Sequence, residues 1–221
     1  AKPAAFGLSN QQLVDLHGAL AARVTLATTD QSAVDVVSAI RQRLDLPIAT
    51  DPSVVARLEG ANPVSEQMQG LSSGTALAAV LRPLGLIHVP RVQTGGEFQL
   101  VVTDVRNSAE SWPVGWPPEK QDRELVPKLF EFLDVEIREE PVDSAVRAIC
   151  QRLKLPVLYD HNSMARFQID PSQTRVSIPA GRSYYKRILD RVLAQARLKA
   201  EIRVDEADQP FAWITTIKRA R

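Results

Sequence analysis

The chain has 221 residues, 44% hydrophobic and 24% charged, with a formal net charge of +1. That length suits two domains of roughly 110 residues each, and the profile is globular, not disordered. The near-neutral charge leaves no basic footprint for nucleic acid or an anionic membrane surface, although acid predominates before residue 110 and base after it.

Ala1 to Gly7 is a small-residue lead-in. Ser9 or Asn10 is placed to cap a short helix with Leu13, Leu16 and Leu20 on one face. Val24 and Leu26 alternate with polar neighbours and predict a strand. Asp30 then opens a helix in which Ala33, Val37, Ile40 and Leu44 form one apolar stripe. Leu46-Pro47-Ile48 enters a short strand, and Asp51-Pro52-Ser53 caps a turn with one helical turn through Val54 and Val55. Val64 to Leu71 is expected as a strand. Ser72 or Ser73 starts a second helix with Ala76, Leu77, Val80, Leu81 and Leu84 inward, and Gly85 suits a left-handed cap. Leu86–Val89 and Phe98–Val102 predict a hairpin around Thr94-Gly95-Gly96, with an exposed tip.

Asn107 to Lys120, centred on Trp112-Pro113-Val114-Gly115-Trp116-Pro117-Pro118, predicts a boundary, because its prolines deny a helix or central strand. Two tryptophans there call for burial: either they wedge between two units, or they offer an aromatic patch to a partner. Beyond it, Val126, Leu129 and Leu133 predict a leading helix, and Val135 and Ile137 a strand. Pro141 suits the first turn of a helix whose stripe is Val142, Val146, Ile149 and Leu153. Leu155 and Val157 form the next strand, Asp160-His161-Asn162 a turn, and Arg175–Ile178 a third strand. A helix with Tyr184, Ile188, Leu189, Val192, Leu193 and Ala196 follows. Leu198–Val204 and Phe211–Ile217 close as a hairpin around Asp205 to Asp208.

The chain repeats itself. Ala39-Ile40-Arg41-Gln42-Arg43-Leu44-Asp45-Leu46-Pro47 returns as Ala148-Ile149-Cys150-Gln151-Arg152-Leu153-Lys154-Leu155-Pro156, identical except at Arg41/Cys150 and Asp45/Lys154. Asp51 and Asp160 follow at the same distance. A kept apolar pattern with altered surface charge is what two copies of one folding unit share. The expected fold is therefore α+β: two tandem small α/β sandwiches, each a leading helix followed by β-α-β-β-α-β-β, with a mixed sheet covered by two helices. The expected limits are residues 1–106 and 121–221, joined by a Trp/Pro-rich linker at 107–120.

The helix-to-strand joint Leu44-Asp45-Leu46-Pro47-Ile48 leading to Asp51-Pro52, and Ala76-Leu77 with Leu81-Arg82-Pro83-Leu84-Gly85-Leu86, resemble the short N-terminal (STN) domain family of secretins and TonB-dependent receptors. The second copy keeps Leu153 to Asp160 but carries Leu193-Ala194-Gln195-Ala196-Arg197-Leu198 in place of the later motif, without its glycine. The resemblance spans about 80 residues of each copy. It implies a non-catalytic, protein-contacting module of the bacterial cell envelope, exported to the periplasm, with no catalytic residues to carry over.

The chemistry-bearing residues are few. Cys150 stands alone in an apolar stripe, which excludes an internal disulfide and a thiolate metal site and predicts a buried structural thiol. No apolar run approaches the roughly 20 residues of a membrane span. The chain starts at Ala1 without methionine, as a trimmed or processed end does, so no signal peptide is visible. His17, His88 and His161 lack metal-ligand spacing, and no phosphate loop or Gly-x-Ser-x-Gly occurs. Asp160-His161-Asn162-Ser163 are adjacent, whereas a nucleophile, base and orienting acid normally meet from separate elements, so a capping turn is expected. Gly70-Leu71-Ser72-Ser73-Gly74 opens a helix whose amides suit an anion, with a solvated cap the expected state. Glu139-Glu140 and Asp205-Glu206-Ala207-Asp208 are expected as solvated acidic turns.

These observations predict a binding or scaffolding protein with no enzyme activity and no cofactor. Its candidate interaction or interdomain surface is Trp112, Trp116, Gly95 and Gly96, and its expected partner is another protein. Two alternatives stand beside it. An enzyme of unrecognised class is one. The other is a nucleic-acid module like the KH domains, supported by Arg182, Lys186, Arg187 and Arg191 near Tyr184 and Tyr185 but lacking the Gly-x-x-Gly loop.

Overall fold

A computed structural model describes residues 5–217; residues 1–4 of the lead-in and residues 218–221 lie outside the description. The protein is α+β, with mixed sheets. It divides into two compact units. One is the chain up to Trp116 together with Val204–Gln209; the other is Pro117–Arg203 together with the chain from Pro210 onward.

In the first unit, α1 (Asn10–Leu20) starts at a reciprocal cap: Ser9 Oγ accepts from Gln12 N–H, and Gln12 Oε1 accepts from Ser9 N–H. Leu16 and Leu20 bury its inner face. The strand expected at Val24 and Leu26 is reduced to a single bridge between Arg23 and Ser72. Val64 to Leu71 is likewise no strand. Thr28 is the physical reason. Its buried hydroxyl donates to Glu66 O (2.6 Å) and accepts from Met68 N–H (2.8 Å), so a side chain takes backbone partners that a ladder would use.

The cap of α2 (Ala33–Arg43) is Ser32 rather than Asp30, since Ser32 Oγ accepts from Asp35 N–H. The apolar stripe Ala33, Val37, Ile40 and Leu44 is buried as its spacing predicts. After β1 (Ile48–Ala49), Asp51 caps not one turn but the eight-residue α3 (Pro52–Glu59); burial of Val54 and Leu58, four residues apart, sustains the second turn. The helix α4 (Ser73–Leu81) is nearly all small or aliphatic and is buried at every position but Ala79. A 3-10 turn at Arg82–Leu84 follows, and Gly85 stops it with φ 68°, a left-handed conformation that favours glycine. Strands β2 (Leu86–Val92) and β3 (Phe98–Asp104) pair antiparallel, and β1 runs parallel to β3, giving the order β1-β3-β2.

In the second unit, the expected leading helix is split into α5 (Asp122–Leu125) and a 3-10 turn at Pro127–Phe130; Pro127 lacks the N–H a continuous helix needs. Leu133 belongs instead to β4 (Phe132–Pro141). The stripe of α6 (Val142–Leu153) is buried as expected. Then come β5 (Val157–Tyr159), α7 (His161–Arg166), β6 (Arg175–Tyr184), α8 (Tyr185–Gln195), β7 (Leu198–Val204) and β8 (Pro210–Thr216). β5 runs parallel to β8 in a sheet ordered β5-β8-β7, while β4 and β6 form a separate antiparallel ribbon. The core lies where α6 and α8 meet these strands, around Val146, Ile149, Val192, Leu193, Val176 and Ile214.

The order β-α-β-β-α-β-β is kept in the second unit with α7 added, whereas the first lacks its early ladder and adds α3. Both nonetheless hold a three-stranded sheet in which the last strand lies between the short first strand and the penultimate one.

Candidate functional site

Trp112 is 4% exposed within the first unit, and Trp116 is half-buried. Trp112 N–H donates to His88 O at the edge of β2 (3.1 Å), and its indole Nε1–H donates to Glu206 Oε1 (2.6 Å). Its ring stacks on Phe6 and meets Trp116 edge-on at 5.3 Å between centroids; His17 and His88 flank it.

Around that indole the structure builds a buried polar centre that the sequence disguised as a solvated acidic turn. Glu206 is 6% exposed and Asp205 1%. Glu206 Oε2 accepts from Thr75 N–H (3.1 Å) and Thr75 Oγ–H (2.9 Å), while Asp205 Oδ2 accepts from Ser72 N–H (2.7 Å). Two carboxylates thus occupy the positive end of α4, where Ser72 makes no side-chain cap of its own. Gly74 is required for their approach, because a Cβ there would stand 2.5 Å from Glu206 Oε1. Burial pushes the Glu206 carboxyl above its ordinary value, opposed by the bonds from Trp112 and Thr75. His88 is fully buried; its Nε2–H donates to Gly74 O (3.2 Å), its Nδ1 has no partner, and burial lowers it to about 4. The imidazole is therefore neutral at neutral pH. The carboxyl and the imidazole are both closed off from solvent, and the centre ties Trp112, α4 and the Asp205–Glu206 turn together.

Gly95 and Gly96 occupy the exposed β2–β3 tip with φ of 127° and 90°, a turn that few other residues adopt and that carries no side chain to anchor a partner. Asp160 acts as a cap, accepting from Ser163 N–H (3.3 Å) and Thr215 Oγ–H (3.0 Å). Cys150 is buried, and burial raises its thiol to about 12. Among the described residues, no three His, Cys, Asp or Glu side chains gather as metal ligands, and no helix is long and apolar enough to cross a membrane.

An open strand edge lies on the β4–β6 ribbon. Among the described residues β4 has β6 on one side and no strand on the other. On the far side of β6, Gln195 Oε1 accepts from Ser177 N–H and Gln195 Nε2–H donates to Ser177 O, both at 3.3 Å. On the face toward the core, Val176 and Ile178 of β6 are buried, whereas Leu133, Val135 and Ile137 of β4 are only half-buried. At the start of β4, Phe132 is 63% exposed, edge-on to Tyr184 at 5.7 Å with the Arg182 guanidinium 5.9 Å from its ring centre. The alternation that makes β4 a strand is visible in the sequence. Its unpaired edge is not, because that depends on which strands pair across the fold. The chain matches no protein-family model and no curated protein.

Proposed function

We propose that this chain is a non-catalytic, protein-binding module of the bacterial cell envelope, built from two copies of one α+β unit. The observation that carries the binding role is the open edge of β4, ten residues long, beside a half-buried apolar row and an exposed Phe132. An unpaired strand presents ready hydrogen-bonding groups, and an extended segment of a partner satisfies them by joining the sheet. The envelope assignment rests on the resemblance of the Leu44–Pro52 joint and the Leu81–Leu86 turn to STN domains. The duplication is supported by the matched sheet orders and by Asp51 and Asp160, each capping the helix after the repeated stretch.

A second reading, a single-stranded nucleic-acid platform, draws on Arg182, Phe132 and Tyr184, since guanidinium and aromatic groups together stack bases. The carboxylates of Asp134 and Glu136 on the neighbouring strand oppose phosphate there. The test is to probe an array of randomised extended peptides with the folded protein, alongside a labelled oligothymidine in solution. Peptide capture weakened by Phe132→Ser supports protein binding. No capture anywhere on the array, or oligothymidine binding that Arg182→Ala abolishes, overturns it.

A further inference from the structure

We infer that the Asp205–Gln209 turn is a releasable strap over Trp112, because the helix end it closes holds a second cap in reserve; the inference stands apart from the strand-accepting reading above. The helix is α4. Its capping residue Ser72 has φ −66° and ψ 145°, and Ser32, which caps α2, has φ −65° and ψ 149°. Each stands three residues before an N–H that a serine cap takes. Ser32 Oγ accepts from Asp35 N–H at 3.1 Å. Ser72 Oγ makes no such bond, since Thr75 N–H donates to Glu206 Oε2 instead, also at 3.1 Å. The Ser72 hydroxyl is left buried and without a partner.

A buried hydroxyl with no bond calls for an explanation. The backbone of Ser72 is already set for capping, so a rotation about χ1 brings its oxygen to Thr75 N–H once Glu206 departs. One N–H therefore has two alternative acceptors: Glu206 when the strap is closed, Ser72 when it is open. Four bonds fasten the strap, from Ser72 N–H to Asp205 and from Thr75 N–H, Thr75 Oγ–H and Trp112 Nε1–H to Glu206. One of them is replaced within α4 on opening, and the helix end does not fray. The turn also keeps its own shape. Asp205 N–H donates to Gln209 O, and Asp205 Oδ1 accepts from Ala207 N–H and Gln209 N–H. Opening hands the Trp112 indole N–H from Glu206 to water while α4 stays folded, a local event distinct from unfolding of the unit.

The experiment is hydrogen exchange followed by NMR on the full chain, as wild type and as Ser72→Ala. In the wild type, the Trp112 indole N–H should be protected at least about tenfold less than the α4 amides of Ala78 and Val80. Ser72→Ala removes a bond that only the open state makes. It should therefore raise protection of the indole N–H about fivefold, the size of a lost helix cap, without lowering the urea midpoint. Exchange of the indole N–H only together with the α4 amides would overturn the inference, and that comparison needs no variant. Indole protection that Ser72→Ala leaves unchanged or lowers would overturn it too. So would a lowered urea midpoint, which means the hydroxyl is already bonded in the closed state.

Discussion

Replacing His88 with glutamine should change how the first unit responds to acid, and the size of the change follows from where the ring sits. His88 is buried, bonded through Nε2–H to Gly74 O, and lowered from 6.5 to about 4. A group whose folded value is depressed contributes stability that is present above its unfolded value and lost as pH falls through the folded one. The window is therefore 6.5 down to about 4. The full span corresponds to about 3 kcal/mol, of which about 2 kcal/mol is lost between about pH 7.5 and pH 5. His88→Gln keeps an N–H for Gly74 O and removes the titration. Glu206, which shares the Trp112 and Gly74 surroundings, acts with the opposite sign. Its raised value means that its contribution is present below the ordinary carboxylate value and lost as pH rises through the folded one. The assay is urea unfolding followed by tryptophan fluorescence in a Trp213→Phe background, so that Trp112 and Trp116 of the first unit report alone. The wild type should lose about 2 kcal/mol more than His88→Gln over that acid window. Parallel losses in the two proteins would refute the argument that the ring is held neutral by burial.

Other changes test the same centre and its counterpart in the second unit. Trp112→Phe keeps the ring but leaves Glu206 Oε1 without its 2.6 Å donor, and it should cost about 2 kcal/mol in the same unfolding assay. Gly74→Ala gains helix propensity of about 1 kcal/mol yet drives a methyl into Glu206 and to 3.0 Å from Leu20 Cβ; net destabilisation of about 1–3 kcal/mol is expected, and a net gain would mean the carboxylate is free to move. Cys150, raised to about 12 by burial, should resist iodoacetamide in the native protein at neutral pH and react after denaturation, as read by mass spectrometry.

What could be read from the residues were the features that local order controls. The stripes of α2 and α6 follow from apolar spacing alone, and the stop at Gly85 from its freedom at positive φ. The β2–β3 hairpin followed from two alternating runs around a glycine pair. What escaped was decided by distant partners. Thr28 looks like any polar residue after a strand, and only its bonds to Glu66 and Met68 reveal why no ladder forms there. Asp205 and Glu206 resemble a solvated turn because nothing nearby in sequence announces Ser72, Thr75 and Trp112, which lie some 90 or more positions away. The anion-suited opening of α4 and the acidic turn were each visible, and pairing them was the missing step.

That pairing bears on where a partner can bind. In the first unit, the stretch corresponding to β4–β6 is consumed internally: Val24 N–H donates to Leu71 O, Asp30 N–H to Val64 O, and Thr28 closes the remainder. No continuous edge is left along it. In the second unit the corresponding strands are regular, and their outer member keeps one side without a strand neighbour among the described residues. The two units therefore differ in this element, which is a regular ribbon in the second and is not one in the first. If binding resides in that element, grafting alanines onto the exposed positions of β4 should abolish it while Trp112 and Glu206 variants, once folded, retain it. An equal loss from both sets of variants would mean that binding does not follow the open edge.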